Sequence, residues 1–218
     1  MAEVELLSLD RLDKIPDAFT AEFSNGDRFQ VNVALIADYS LYTGRLLDEA
    51  AFEALKKAAG LYAAKKRALR ILGRRQMSRR EIIGRLVDKG ESLEVAEQTA
   101  DWLTQIGALN DNEYAASIVR HYAQRGYGEK RIRDELYRRG IDRELWEEAL
   151  GALPEAEDGA YAYLVSKLKG RPLEEDDRKR LAEIKRLTDA LCRRGFSWDN
   201  ARDAVQRYMN TEDLYNDE

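Results

Sequence analysis

Arg131-Ile132-Arg133-Asp134-Glu135-Leu136-Tyr137-Arg138-Arg139-Gly140-Ile141-Asp142 decides how this chain folds. Ile132 and Leu136 stand four apart, so on a helix they make one apolar stripe. Most other positions are charged and suit a solvated face. Gly140 ends the helix, because the residue just past a helix often turns left-handed, which glycine does without strain. Asp142 can then accept a backbone N–H and cap the next helix. The pattern recurs along the chain. Ile82, Leu86 and Gly90 stand 50 residues earlier, with Ser92 as the cap. Leu187, Leu191 and Gly195 stand 55 residues later, with Ser197.

Outward from each stripe, one apolar-striped helix precedes it and another follows. Ala68 to Leu72, Tyr114 to Tyr122 and Tyr161 to Leu168 mark the preceding helices. Val95 to Ile106, Leu145 to Leu150 and Trp198 to Tyr208 mark the following ones. Ser78-Arg79-Arg80-Glu81 opens the first stripe helix with a capping-box pattern. Trp102, Trp146 and Trp198 sit at different offsets from their glycines and read as core residues. The fold class is therefore mainly α: tandem three-helix repeats at 61–109, 110–153 and 158–210, expected to stack into an elongated, curved array. A C-terminal tail is expected at 211–218.

Residues 1–60 follow a different period. Arg28-Phe29-Gln30-Val31-Asn32-Val33 alternates polar and apolar, as a half-buried strand does. Asn25-Gly26 before it suggests a two-residue type I′ hairpin with Ala18–Phe23, in which both central residues take positive φ. With the segment from Val4 to Leu9 this predicts a small β-hairpin or three-stranded meander. Asp48 is placed to cap a helix through about Ala59. This unit is expected to orient the rest.

Composition narrows the function. Of 218 residues, 44% are hydrophobic and 35% charged, which fits a globular chain with extensive solvated helix faces. No apolar run approaches the length of a membrane span, and the acidic start at Met1-Ala2-Glu3-Val4-Glu5 does not read as a secretory signal. One cysteine and one histidine exclude an internal disulfide and zinc sites of the Cys/His type. The expectation is a soluble, cytoplasmic monomer with no cofactor and no metal.

Phosphate-binding loops, dinucleotide fingerprints and nucleophile elbows are absent from the sequence. His121 reads as a helix-surface residue and Cys192 as a small buried hydrophobe. The carboxylates Glu174-Glu175-Asp176-Asp177 precede a helix, where acids favour the positive dipole end, so they do not read as a metal site. With no nucleophile, base and oxyanion donor to assemble, the chain reads as a non-enzyme.

The net charge of −5 conceals alternating blocks. Residues 62–90 carry net +8 and 120–139 net +4, while 91–119 and 140–160 each carry −6. Local potential steers partners more than the total does. The candidate contacts lie on two stripe helices: Arg79, Arg80, Arg85 and Lys89 in the first, and Lys130, Arg131 and Arg133 in the second. Arginine forks suit phosphate and also carboxylate on a protein partner. A helical nucleic-acid-binding module acting alone and a scaffold with only protein partners both fit such a surface.

Ser78-Arg79-Arg80-Glu81-Ile82, Leu86-x3-Gly90, Leu109-Asn110-Asp111-x2-Tyr114-Ala115 and Gly126-Tyr127-Gly128-x2-Arg131-Ile132-x2-Glu135-Leu136-x3-Gly140-Ile141 resemble the RecX family of bacterial recombinase regulators. The likeness covers about residues 60–150, and the third unit shares only the pattern. The resemblance implies a modulator of the RecA recombinase, as a rule an inhibitor, acting in DNA repair and the SOS response. It implies binding in the groove of the filament on single-stranded DNA, with no cofactor and no catalysis. The overall acidity argues against strong binding to free DNA.

Overall fold

The computed structural model describes residues 3–12, 17–151, 153, 155–169 and 176–215. The chain divides into two compact units. One comprises Met1–Gln76 with Glu81–Leu109, the other Met77–Arg80 with Asn110–Glu218.

The first unit opens with β1 (Val4–Arg11), β2 (Ala18–Phe23) and β3 (Arg28–Asn32). A two-residue strand, β4 (Leu46–Leu47), pairs with β1 and completes an antiparallel sheet of order β3-β2-β1-β4. The meander thus gains a fourth strand. The hairpin turn also differs from type I′. Gly26 has φ +88, but Asn25 is not left-handed. Its Oδ1 accepts from the Asp27 N–H at 3.0 Å, and the Gly26 N–H donates to the Phe23 carbonyl at 2.9 Å. That local side-chain bond lets a longer loop close with one left-handed glycine instead of two left-handed residues. Val33, expected at the end of β3, instead starts α1 (Val33–Asp38), because the Asn32 side chain caps it at the Leu35 N–H.

The helix expected to stop near Ala59 does not stop there. It runs as α2 (Glu49–Leu72), capped by Asp48 at the Ala51 N–H. Gly60 lies exposed within it with nothing close to its Cβ position. Its cost of about 1 kcal/mol relative to alanine is small beside the burial that α2 gains along its length. Phe52, Leu55 and Ala59 pack under the sheet with Leu6, Phe23, Val31 and Leu47. Phe23 stacks on Phe29 at 4.9 Å and meets Phe52 edge-on at 5.0 Å. Farther along, Ala64 and Ala68 are buried. α3 (Arg79–Val87) follows, then α4 (Leu93–Gln105), which packs on α2 and is capped by Ser92.

The second unit contains α5 (Asp111–Gln124), α6 (Glu129–Arg138), a 3₁₀ turn (Arg143–Leu145) leading into α7 (Trp146–Leu150), α8 (Ala156–Leu168), α9 (Asp177–Arg193) and α10 (Trp198–Tyr215). It holds two cores. Ile132 and Leu136 are fully buried with Tyr114, Ala115, Ile118 and Trp146 in one. Leu187 and Leu191 are buried with Ala160, Leu164, Ala201 and Val205 in the other. The stripe of α3 behaves alike, with Ile82 and Leu86 at 0% exposure. Gly90, Gly140 and Gly195 all have positive φ, at +93, +67 and +95. Ser92, Asp142 and Ser197 accept from the N–H groups of Val95, Glu144 and Asn200. The repeat unit read from the sequence is the one the chain forms.

Several expectations are corrected. Trp198 is 59% exposed and carries Arg202 on its ring at 5.1 Å, so it is no core residue. It is the first residue of α10, three positions before the first buried one, Ala201. Trp102 is only half-buried. Cys192 is half-buried too, packed at the edge of the third core. The tail expected at 211–218 begins as helix, since nothing in Asn210–Tyr215 breaks α10; residues 216–218 lie outside the described residues. Asp176 caps α9 at the Lys179 N–H, and Asp177 occupies its first turn; Glu174 and Glu175 lie outside the described residues. His121 is exposed on α5, as read. Among the described residues no helix is long and apolar enough to cross a membrane, and no cluster of three His, Cys, Asp or Glu could hold a metal ion.

Candidate functional site

The stripe helices bury their apolar pair and expose most of their cations. On α3, Ile82 and Leu86 point inward, while Arg80 and Arg85, with Lys89 just past the end, are exposed. Arg79 is half-buried, and its backbone N–H donates to Asp111 Oδ1 at 2.9 Å. On α6, Lys130 and Arg131 are exposed and Arg133 is half-buried. Arg133 is held by two carboxylates, Glu129 at 2.7 Å and Glu147 at 3.0 Å. Its hydrogen bonds to Glu147 and then Glu129 push the guanidinium pKa further up. Arg80, Arg85, Lys89, Lys130 and Arg131 make no ion pair among the described residues.

Two of these residues also serve the packing of the second unit. A Cβ at Gly140 would run into the Arg80 side chain. A Cβ at Gly195 would lie 2.5 Å from the Arg131 backbone nitrogen. Arg80 therefore packs its side-chain stem, and Arg131 its backbone and Cβ, against glycine corners, while both residues stay exposed. Ser78 and Gly128, both buried, tie the corners at equivalent places. The Ser78 hydroxyl donates to the Arg139 carbonyl at 2.5 Å, and the Gly128 N–H donates to the Arg194 carbonyl at 2.9 Å.

Other arginines are held by partners within the fold. Glu135 is buried, and both Arg138 and Arg139 donate to it, the latter at 2.7 Å. Burial pushes the Glu135 carboxyl up, but hydrogen bonds from Arg139, Arg138 and Tyr122 outweigh it and hold the pKa below the ordinary glutamate value. Arg194 lies on the rings of Tyr163 at 4.0 Å and Tyr127 at 4.7 Å. Its guanidinium donates to the carbonyls of Arg125 and Gly126. These residues are structural ties and not free contacts.

The first unit brings together a set that sequence reasoning missed. Tyr62, Lys65 and Lys66 of α2 face Trp102 of α4 across a cleft of about 500 Å³. The lysines were legible as part of a basic run, but Trp102 lies 37 positions beyond Lys65, and only packing of α2 on α4 unites them.

Comparison with known proteins agrees with this architecture. Residues 64–103 match the model of the RecX first three-helix domain, and residues 110–150 that of the RecX second three-helix domain. A "Regulatory protein RecX" of Xanthomonas axonopodis pv. citri (strain 306) is 34% identical over 140 residues, covering 64% of this chain and 84% of that protein. One of Stenotrophomonas maltophilia (strain R551-3) is also 34% identical, covering 64% and 83%. A crystal structure of regulatory protein RecX shares the fold at a TM-score of 0.68 with 20% identity, over 95% of this chain and 99% of that one. The crystal structure of RecX from Lactobacillus salivarius does so at 0.59 with 23% identity, over 72% and 99%.

Proposed function

Because this chain belongs to the RecX family of regulatory proteins, we propose that it binds a RecA recombinase filament on single-stranded DNA and restrains its recombination and ATP turnover. On this reading it affects DNA repair and the SOS response. It works in the cytoplasm as a binding protein and carries no catalysis of its own.

The observation that supports the reading is the state of the exposed cations. Arg85, Lys89, Lys130 and Arg131 are exposed and make no ion pair among the described residues. Cations without a carboxylate partner are available to phosphate or to partner carboxylates. Arg79, Arg80 and Arg133 belong to the same proposed set of contacts, and Glu129 and Glu147 already hold Arg133.

The test is ATP hydrolysis by a RecA recombinase on single-stranded DNA with this protein titrated in. Hydrolysis is expected to fall as the protein is added. Changing Arg85, Lys89, Lys130 and Arg131 together to glutamate is expected to abolish that effect, because like charge then faces phosphate or carboxylate. Full inhibition by the folded quadruple variant would overturn the assigned surface. No effect of the wild-type protein on hydrolysis or strand exchange would overturn the function.

A further inference from the structure

The cleft between α2 and α4 in the first unit has a chemistry the regulatory reading does not use. Its floor is apolar, with Leu35, Leu61 and the half-exposed Leu69. Two aromatic rings, Tyr62 and Trp102, stand in it half-buried. Each ring has an ammonium group on its face: Lys65 Nζ lies 4.9 Å from the centre of the Trp102 ring, and Lys66 Nζ 5.3 Å from that of Tyr62. Lys66 also donates to the side-chain oxygen of Gln30 at 3.2 Å.

Three of the other four α2 cations have carboxylate partners, and Arg70 makes no ion pair among the described residues. Lys56 pairs with Asp27 at 2.9 Å, Lys57 with Glu94 at 3.0 Å, and Arg67 with Glu91. Lys65 and Lys66 meet rings and an amide, and no carboxylate pairs with them among the described residues. Their charge is thus left unneutralised at the mouth of an apolar, aromatic cleft. Burial, with the Asp17 carboxylate adding to it, pushes the Tyr62 phenol up, so its ring stays neutral.

We infer that this cleft binds single-stranded nucleic acid, a base stacking on Trp102 or Tyr62 while Lys65 and Lys66 take the flanking phosphates. A ring face that attracts a cation also stacks a base, and every base has such a face, so the site is tolerant of sequence. The lysines need only swing from the rings to the phosphates, and flexible four-carbon stems allow this. The volume of about 500 Å³ admits a nucleotide. A purely apolar partner, such as a hydrophobic peptide, would leave two ammonium groups without counter-charge, which is why nucleic acid is favoured. The inference does not depend on a recombinase: it concerns residues outside the proposed filament surface.

The experiment uses the full chain and no recombinase. Binding of a fluorescently labelled twelve-residue oligo-dT is followed by anisotropy at two salt concentrations, beside the same strand with abasic sites. The wild-type protein is expected to bind oligo-dT about tenfold more tightly than the abasic strand, from stacking. Trp102→Leu keeps an apolar side chain and removes the stacking face, and it is expected to erase that discrimination. Lys65→Gln with Lys66→Gln, on a cleft rim where folding is little affected, is expected to weaken oligo-dT binding about tenfold and flatten its salt dependence. Undetectable oligo-dT binding by the wild type would overturn the inference. So would unchanged binding and salt slope in the lysine variant, which holds even if Trp102→Leu does not fold. Equal discrimination by a folded Trp102→Leu variant would also overturn it. None of these outcomes touches the filament test, which reads ATP hydrolysis and the α3 and α6 cations.

Discussion

The second unit contains two corners built on one plan with different materials. In the first, the start of α3 meets the end of α6; in the second, the start of α6 meets the end of α9. Ser78 and Gly128 are equivalent, each four residues before the stripe isoleucine, and each is buried. At the first corner a side chain reaches out, the Ser78 hydroxyl donating to the Arg139 carbonyl at 2.5 Å. At the second no side chain intervenes, and backbone meets backbone, Gly128 N–H to Arg194 carbonyl and Lys130 N–H to Gly195 carbonyl. The arginines before the two glycines also part company. Arg139 turns back to Glu135 of its own repeat, whereas Arg194 crosses to Tyr127 and the carbonyls of Arg125 and Gly126. The difference teaches that a corner made of side chains has slack and one made of backbone has none.

The largest effect is expected where there is no slack. A Cβ at Gly128 would lie 2.5 Å from Gly195 C and O and Phe196 N. Gly128 has φ −81, so an L side chain is unstrained there and the whole penalty is steric. Gly128→Val should destabilise by about 3 kcal/mol, seen in thermal unfolding. Wild-type melting in that variant would mean the second corner is not backbone-tight. Gly140→Ala should cost less, about 1–2 kcal/mol, set by φ +67. Of the nearby Arg80 atoms, Cδ and Cγ can swing aside, while Cβ, 2.9 Å away, needs a small backbone shift. Making the same change in an Arg80→Ala background isolates the steric share, and a cycle energy near zero is expected.

A smaller effect is expected from Glu135→Gln, about 1–2 kcal/mol at neutral pH, since it removes the charge that Arg138 and Arg139 share. The wild-type carboxyl has its folded pKa lowered from 4.5, so its contribution is complete above that value and is lost as pH falls through the lower folded one. Chemical unfolding at a series of pH values should show the two proteins converging as the pH falls below 4.5. A constant gap across the acid range would mean that Glu135 is held by shape alone. The smallest effect is expected from the quadruple glutamate variant of Arg85, Lys89, Lys130 and Arg131. Its melting should stay within about 0.5 kcal/mol, because exposed charges contribute little to folding. A larger loss would mean that the second corner needs the charge of Lys130 and Arg131 as well as their backbone.

These residues also mark what could be read before folding. The i, i+4 stripes, the three left-handed glycines and the caps were legible because each depends on neighbours within about ten positions. The hairpin and the cap at Asp48 were legible for the same reason. Misreadings came where a local preference was weak and a distant contact decided. Gly60 could have ended a helix, but α2 had sheet packing on one half and α4 on the other. Trp198 looked like core because tryptophan usually is, yet it stands on the first residue of α10. Among the candidate contacts, the sequence offers seven cations of equal standing. Only the fold distinguishes Arg133, held by two carboxylates, from Lys130, which has none.

The sequence by itself determined the repeat and the ends of its stripe helices, since periodicity, glycine conformation and capping are properties of short stretches of chain. Tertiary structure alone decided which serine and which glycine would become the corners, which arginines would be ties, and that Trp102 would face Lys65. Those outcomes depend on the order in which helices pack and on distances across it, and nothing in a stretch of ten residues encodes a contact 37 or 61 positions away.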